Sequence, residues 1–146
     1  MATFSRSVEV DWTGPIMEGT GTAKAATGAF SLPVSFPARI GESGGKTSPE
    51  ELMAASHASC YAMALNATVG RKGGSIGHTI VTATIVADKG DAGIKLTTSK
   101  LKVVAESLQG IEKSQFAEVA KEAEGKCPIS NALRGNLQIE LVAEAK

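Results

Sequence analysis

Residues 48–70 read SPEELMAASHASCYAMALNATVG, and this run decides the architecture. Ser48 can cap a helix, Pro49 suits the first helical position, and Glu51 stands where a capping box needs its acid. The pattern predicts a helix from Ser48 to about Gly70. Gly70 is a plausible left-handed stop, and Arg71 and Lys72 follow where positive charge favours the negative end of a helix. Leu52 to Gly70 holds 19 residues with no charge if His57 is neutral. That length could span a bilayer. Its alanine-rich composition and its Ser, His, Asn and Thr residues argue instead for a helix buried in protein.

Outward from this helix, the N-terminal side reads as strands. Phe4, Val8, Val10 and Trp12 alternate with polar residues, the period of a half-buried strand. Thr13-Gly14-Pro15 is a turn signal. Ile16 to Phe36 reads as two further strands, and Ala38 to Thr47, with Gly41, Gly44 and Gly45, as a loop.

On the C-terminal side, Val81, Ala83, Ile85 and Ala87 alternate. Asp88 to Gly93 reads as a turn, with a return strand from about Ile94 to Ala105. Phe116, Val119, Ala120 and Ala123 have helical spacing, predicting a helix over 113–124 that ends at Gly125. A last strand carries Leu137, Ile139 and Leu141. The order predicts one α+β domain over 1–146, mainly antiparallel, around a long central helix. That helix is apolar on nearly every face, so a homodimer in which two copies bury each other is expected.

The chain has 146 residues, with 15 Lys plus Arg against 15 Asp plus Glu. No basic block marks a nucleic-acid footprint or a polybasic membrane anchor. Met1 to Val10 lacks the apolar run of a secretory signal, so the expected location is the cytoplasm. Thiols there are kept reduced by default. The two cysteines are then a redox pair or two unrelated buried thiols.

Cys60 lies in mid-helix, where a cysteine is often a small core hydrophobe. Reactivity there needs a lowered pKa and access, with a cation to favour the thiolate. Cys127 precedes Pro128, which can open a short helix through Ser130 to Leu133. It would stand at that helix's N-cap, as a reactive thiolate or merely as a turn residue. The 67-residue separation excludes a CxxC motif and a four-cysteine zinc ribbon. Four arginines are available, at positions 6, 39, 71 and 134, and Arg39 in the glycine-rich loop could fold over a site. Glu50 is ten residues before Cys60, roughly 15 Å along a helix axis, so it cannot touch that sulfur within one helix. It could act through Arg39 or across a dimer interface. His57, three residues before Cys60, could be a base or half of a metal pair with it. The reading adopted is a core or interface histidine with its ring N–H satisfied, and no metal or cofactor is expected. His78 has no evident role.

Thr47-Ser48-Pro49-Glu50-Glu51-Leu52-Met53-Ala54-Ala55-Ser56-His57-Ala58-Ser59-Cys60 closely resembles the central-helix motif of the OsmC/Ohr family. Cys127-Pro128-Ile129-Ser130 resembles that family's second cysteine motif, and Arg39 falls where the family carries its arginine. His57 resembles the OsmC branch more than the Ohr branch. The resemblance implies an intertwined homodimer with two active sites. It implies a thiol-dependent peroxidase that reduces organic hydroperoxides, with hydrogen peroxide also open to it. In that reading Cys60 attacks the peroxide, Cys127 resolves, and Arg39 and Glu50 shape the site. Arg39 would lower the Cys60 pKa. Met53, Met63, Leu65 and Phe36 would supply apolar surroundings. A dithiol would act as reductant, a lipoyl-bearing protein being one candidate. The alternative use of the same pair is a redox sensor that does not turn over.

Overall fold

A computed structural model describes residues 1–146. The chain divides into two compact units, Met1–Leu52 and Met53–Lys146.

In the first unit, strands β1 (Val8–Thr13), β2 (Thr20–Ala25) and β3 (Ser31–Val34) form an antiparallel sheet in that order. The alternation from Phe4 begins as strand only at Val8. All six β1 residues are exposed, so its apolar side is uncovered rather than half-buried, with Val10 at 54% and Trp12 at 39% exposure. The stretch expected as loop contains a short helix, α1 (Pro37–Ile40). Pro37 starts it, and the Ala38 N–H donates to Ser35 Oγ at 3.3 Å. The segment after it returns to β3, where the Thr47 N–H donates to the Pro33 carbonyl at 2.8 Å.

Helix α2 (Pro49–Arg71) begins where the sequence predicts. The Glu51 N–H donates to Ser48 Oγ at 3.2 Å, as an N-cap should. The other half of the capping box does not form, because Glu51 Oε1 accepts from Thr47 Oγ1 at 2.6 Å instead. The stop is not Gly70 but Gly73, at φ +80°. The Gly73 N–H donates to Gly70 O and the Gly74 N–H to Val69 O, which is the Schellman pattern. Within this chain the helix is covered on one face, through His57, Tyr61, Leu65, Thr68 and Val69. Met63 on another face is 72% exposed.

The second unit contains β4 (Ser75–Gly90) and β5 (Gly93–Gln109), a long antiparallel hairpin. Pairing continues through Asp88–Lys95 and Lys89–Ile94, so the expected six-residue turn shrinks to Asp91-Ala92, with Gly93 at φ +114°. Helices α3 (Phe116–Gly125) and α4 (Pro128–Leu133) follow, α3 preceded by a 3-10 turn over Lys113–Gln115. Strand β6 (Gln138–Ala145) then pairs with β5 in parallel. A parallel neighbour needs a crossover, which the two helices supply. The core joins Tyr61, Leu65 and Val69 of α2, Leu101, Val103 and Ala105 of β5, and Phe116, Val119, Ala120 and Ala123 of α3. No helix is long and apolar enough to cross a membrane.

Candidate active site

Cys60 and Cys127 come together. Their sulfurs lie 3.2 Å apart, the Cys127 thiol donating to Cys60 Sγ. Cys127 is completely buried and Cys60 partly so. Cys127 is the N-cap of α4, and its Sγ accepts from the Ser130 N–H at 3.5 Å. Pro128 fixes this geometry, since its locked φ opens the helix directly after the cysteine.

Burial pushes the Cys60 thiol above its ordinary pKa, and neighbouring Cys127 pushes it further. The backbone N–H of Ile129, in the first turn of α4, acts the other way. The direction is opposite to the acidification expected from the sequence. Within the second unit no cation contributes, so desolvation wins.

His57, one turn before Cys60 on α2, is fully buried. Its Nδ1 lies 2.6 Å from Ser99 Oγ and its Nε2 lies 2.7 Å from Ser130 Oγ. Both ring nitrogens are thus satisfied, where the sequence reading expected a partner for the ring N–H. Burial lowers its pKa, against a smaller opposing pull from the Glu124 carboxylate. Tyr61, beside Cys60, is fully buried and donates to the Ala120 carbonyl at 2.9 Å. Desolvation drives its phenol well above the ordinary range.

In the first unit Arg39 and Glu50 form a close pair. Nε of Arg39 donates to Oε1 and Oε2 of Glu50 at 3.0 and 3.1 Å, and Nη2 to Oε1 at 2.6 Å. This holds the Glu50 carboxyl below its usual range and raises the guanidinium further. Nη1 makes no hydrogen bond and keeps its donors. Arg39 stands in the wall of a cavity of about 380 Å³ lined by Val10, Trp12, Ile16, Phe36 and Leu52. Of the apolar residues expected around the site, Phe36 does line a cavity. Leu65 is packed in the core and Met63 is on the surface.

The sequence reading assigned no role to Ser99. A signal was present: Ser99 is in phase with Leu101, Val103 and Ala105 along β5, a polar residue on a core-facing register that needs a buried partner. His78 pairs with Glu106 across the hairpin at 3.0 Å, on the exposed face.

The OsmC-like protein family matches residues 41–142. The chain belongs to that family. Peroxiredoxin OsmC of Escherichia coli is 34% identical over 140 residues, covering 94% of this chain and 96% of that protein. The organic hydroperoxide resistance protein OhrA of Bacillus subtilis is 37% identical over 101 residues, 67% of this chain and 68% of its own. Among solved structures, an OsmC organic hydroperoxide resistance protein from Legionella pneumophila has the same fold, with a TM-score of 0.79 over 99% of both chains at 24% identity. An organic hydroperoxide resistance protein from Elizabethkingia anophelis superposes with a TM-score of 0.76 at 26% identity over the whole of both chains. The α+β OsmC-like fold, with mainly antiparallel sheets and a long helix, is therefore established. The cysteine pair sits in a family with members called peroxiredoxins and hydroperoxide resistance proteins.

Proposed function

We propose that this chain is a thiol-dependent hydroperoxide reductase acting through Cys60 and Cys127. The observation that carries the reading is the 3.2 Å approach of the two sulfurs, with Cys60 the more accessible. The Cys60 thiolate attacks the distal oxygen of the peroxide. The O–O bond breaks, and the alkoxide leaves as alcohol once it takes a proton. Cys60 is left as a sulfenic acid. Cys127 attacks that sulfur, the S–O bond breaks, and the hydroxyl leaves as water with the Cys127 proton. A dithiol reduces the disulfide by exchange.

On the resemblance to the family, Arg39 and Glu50 are assigned to the same chemistry. The Nη1 donors of Arg39 meet the charge that develops on the leaving oxygen, and its positive charge offsets the desolvation of Cys60. Glu50 holds the guanidinium in place. The apolar lining beside Arg39 supports an organic hydroperoxide as substrate. The uncovered Val8, Val10 and Trp12 edge and the exposed Met63 support a homodimer in which the whole chain acts as one functional domain. A cytoplasmic location would return the pair to the dithiol after each cycle.

The same pair of sulfurs would serve a second reading, a redox sensor that is oxidised once and does not turn over. The deciding experiment treats the reduced protein with tert-butyl hydroperoxide and maps its peptides without reduction. A Cys60–Cys127 disulfide formed with one peroxide consumed supports the proposed chemistry. Oxidation that leaves both thiols free contradicts it. Repeated consumption with a dithiol present separates reductase from sensor.

A further inference from the structure

The sulfurs are not the only link between α2 and α4. His57 stands one turn before Cys60, and Ser130 one turn after Cys127. Their side chains meet at 2.7 Å. The two helices are thus joined by two neighbouring rungs, one of sulfur and one of imidazole and hydroxyl. The far side of the ring is anchored to the sheet, through Ser99 of β5 at 2.6 Å. A buried, neutral imidazole donates from one nitrogen and accepts at the other, and a hydroxyl can complement either.

Helix α4 has six residues and cannot hold itself in place. Asn131 Nδ2 ties it to the Gly125 carbonyl at 3.1 Å, and Arg134 Nη2 to Glu124 Oε1 at 2.7 Å. Both of those ties run to α3. The Ser130 tie runs to the helix that carries Cys60. Ser130 also holds Cys127 directly, through its N–H on Sγ. Oxidation of Cys60 to a sulfenic acid puts an oxygen on the sulfur that the Cys127 thiol meets. The sulfurs must then close to about 2.05 Å to form the disulfide. A rung that does not involve sulfur keeps α4 in reach during that interval.

We propose that His57 is a positioning residue for the resolving step, its Nε2 contact with Ser130 holding Cys127 against oxidised Cys60 while Ser99 fixes the ring. This rests on the peroxidase reading above. It assigns His57 no contact with the peroxide and no proton transfer to the reacting atoms. It predicts a split between the two steps: sulfenic acid forms at the normal rate, and the disulfide follows slowly.

The test compares wild type with His57→Phe, His57→Gln, His57→Asn and Ser130→Ala. Each reduced protein is mixed with tert-butyl hydroperoxide. Peroxide loss reports the first step, and acid-quenched peptide mapping reports the disulfide. A sulfenic-acid trap, dimedone, reports the intermediate. His57→Phe and Ser130→Ala should slow disulfide formation about tenfold, the scale of one lost buried hydrogen bond, and raise the dimedone adduct. His57→Gln, whose amide can reach the Nε2 position, should recover most of the rate, whereas His57→Asn, which reaches only the Nδ1 position, should not. Ser130→Ala keeps the N–H on Cys127 and the cap, so it carries the test if His57→Phe does not fold. Disulfide formation at the wild-type rate in Ser130→Ala overturns the proposal, as does an equal slowing of both steps. Failure of wild type to form a sulfenic acid or a disulfide overturns the peroxidase reading itself, which is a different result.

Discussion

Cys127 Sγ lies 3.2 Å from Cys60 Sγ although 67 residues separate the two in sequence. The pair is asymmetric: Cys127 is sealed under the first turn of α4, and Cys60 keeps some exposure. Brief alkylation of the reduced native protein should therefore modify Cys60 and spare Cys127. Both should react after denaturation. Peptide mass mapping reads the ratio, and equal labelling of the two in the native state would contradict the arrangement.

The electrostatic role proposed for Arg39 predicts a change in a pH profile. Burial pushes Cys60 upward, and a cation brought beside the sulfur would oppose that. Arg39→Met should move the alkylation profile of Cys60 to higher pH. The rate at pH 7 should fall about tenfold for every whole pH by which the midpoint rises. An unchanged profile would confine Arg39 to the leaving oxygen or remove it from the site.

Glu50 links pH to stability with a definite sign. Its folded pKa is depressed by Arg39, so the pair contributes stability that is fully present above the ordinary carboxylate pKa. That contribution disappears as pH falls through the depressed value. Urea unfolding below about pH 4.5 should show wild type converging on Glu50→Gln, with wild type the more stable near neutrality. A stability gap independent of pH would count against the ion pair as its source.

The ends of α2 give a stability test that leaves the thiols alone. Ser48→Ala removes the acceptor for the Glu51 N–H and should cost about 1 kcal/mol. Gly73→Ala forces a side chain onto a φ of +80° and should cost about 1 kcal/mol. Gly70→Ala lies inside the helix, where alanine is preferred, and should be neutral or slightly stabilising. Denaturant midpoints check all three, and a costly Gly70→Ala would show that the helix stops where the sequence pattern put it.

Much of this molecule is legible in local sequence. Ser48-Pro49 starts α2 because a cap and a fixed φ act on adjacent residues. Pro128 announces α4 and places Cys127 at its N-cap by the same logic. Reading failed where the deciding partner is remote or where two local choices compete. Gly70 and Gly73 both offer a left-handed stop, and only the carbonyl partners of Gly73 and Gly74 decide between them. Glu51 could reach back to the Ser48 backbone, but Thr47 offers a hydroxyl at 2.6 Å. The β4–β5 turn reads as longer because Asp88 and Gly90 are turn-prone, yet cross-strand pairing holds both in the ladder. At the site, the Cys60–Cys127 approach and the Ser99–His57–Ser130 chain are made by residues from three elements. No spacing encodes that proximity. The direction of the Cys60 pKa was hidden for a related reason: the mid-helix position carries the desolvation, and sequence shows the candidate cation but not the burial of the sulfur.

The most direct test of the central claim is peroxide consumption with excess dihydrolipoamide, for wild type, Cys60→Ser and Cys127→Ser, with tert-butyl hydroperoxide and hydrogen peroxide as substrates. Repeated turnover in wild type is expected, with the organic peroxide preferred. Cys60→Ser should be inactive, and Cys127→Ser should be oxidised once and recycle poorly. Turnover that survives in Cys60→Ser would contradict the assignment of Cys60 as the attacking thiol.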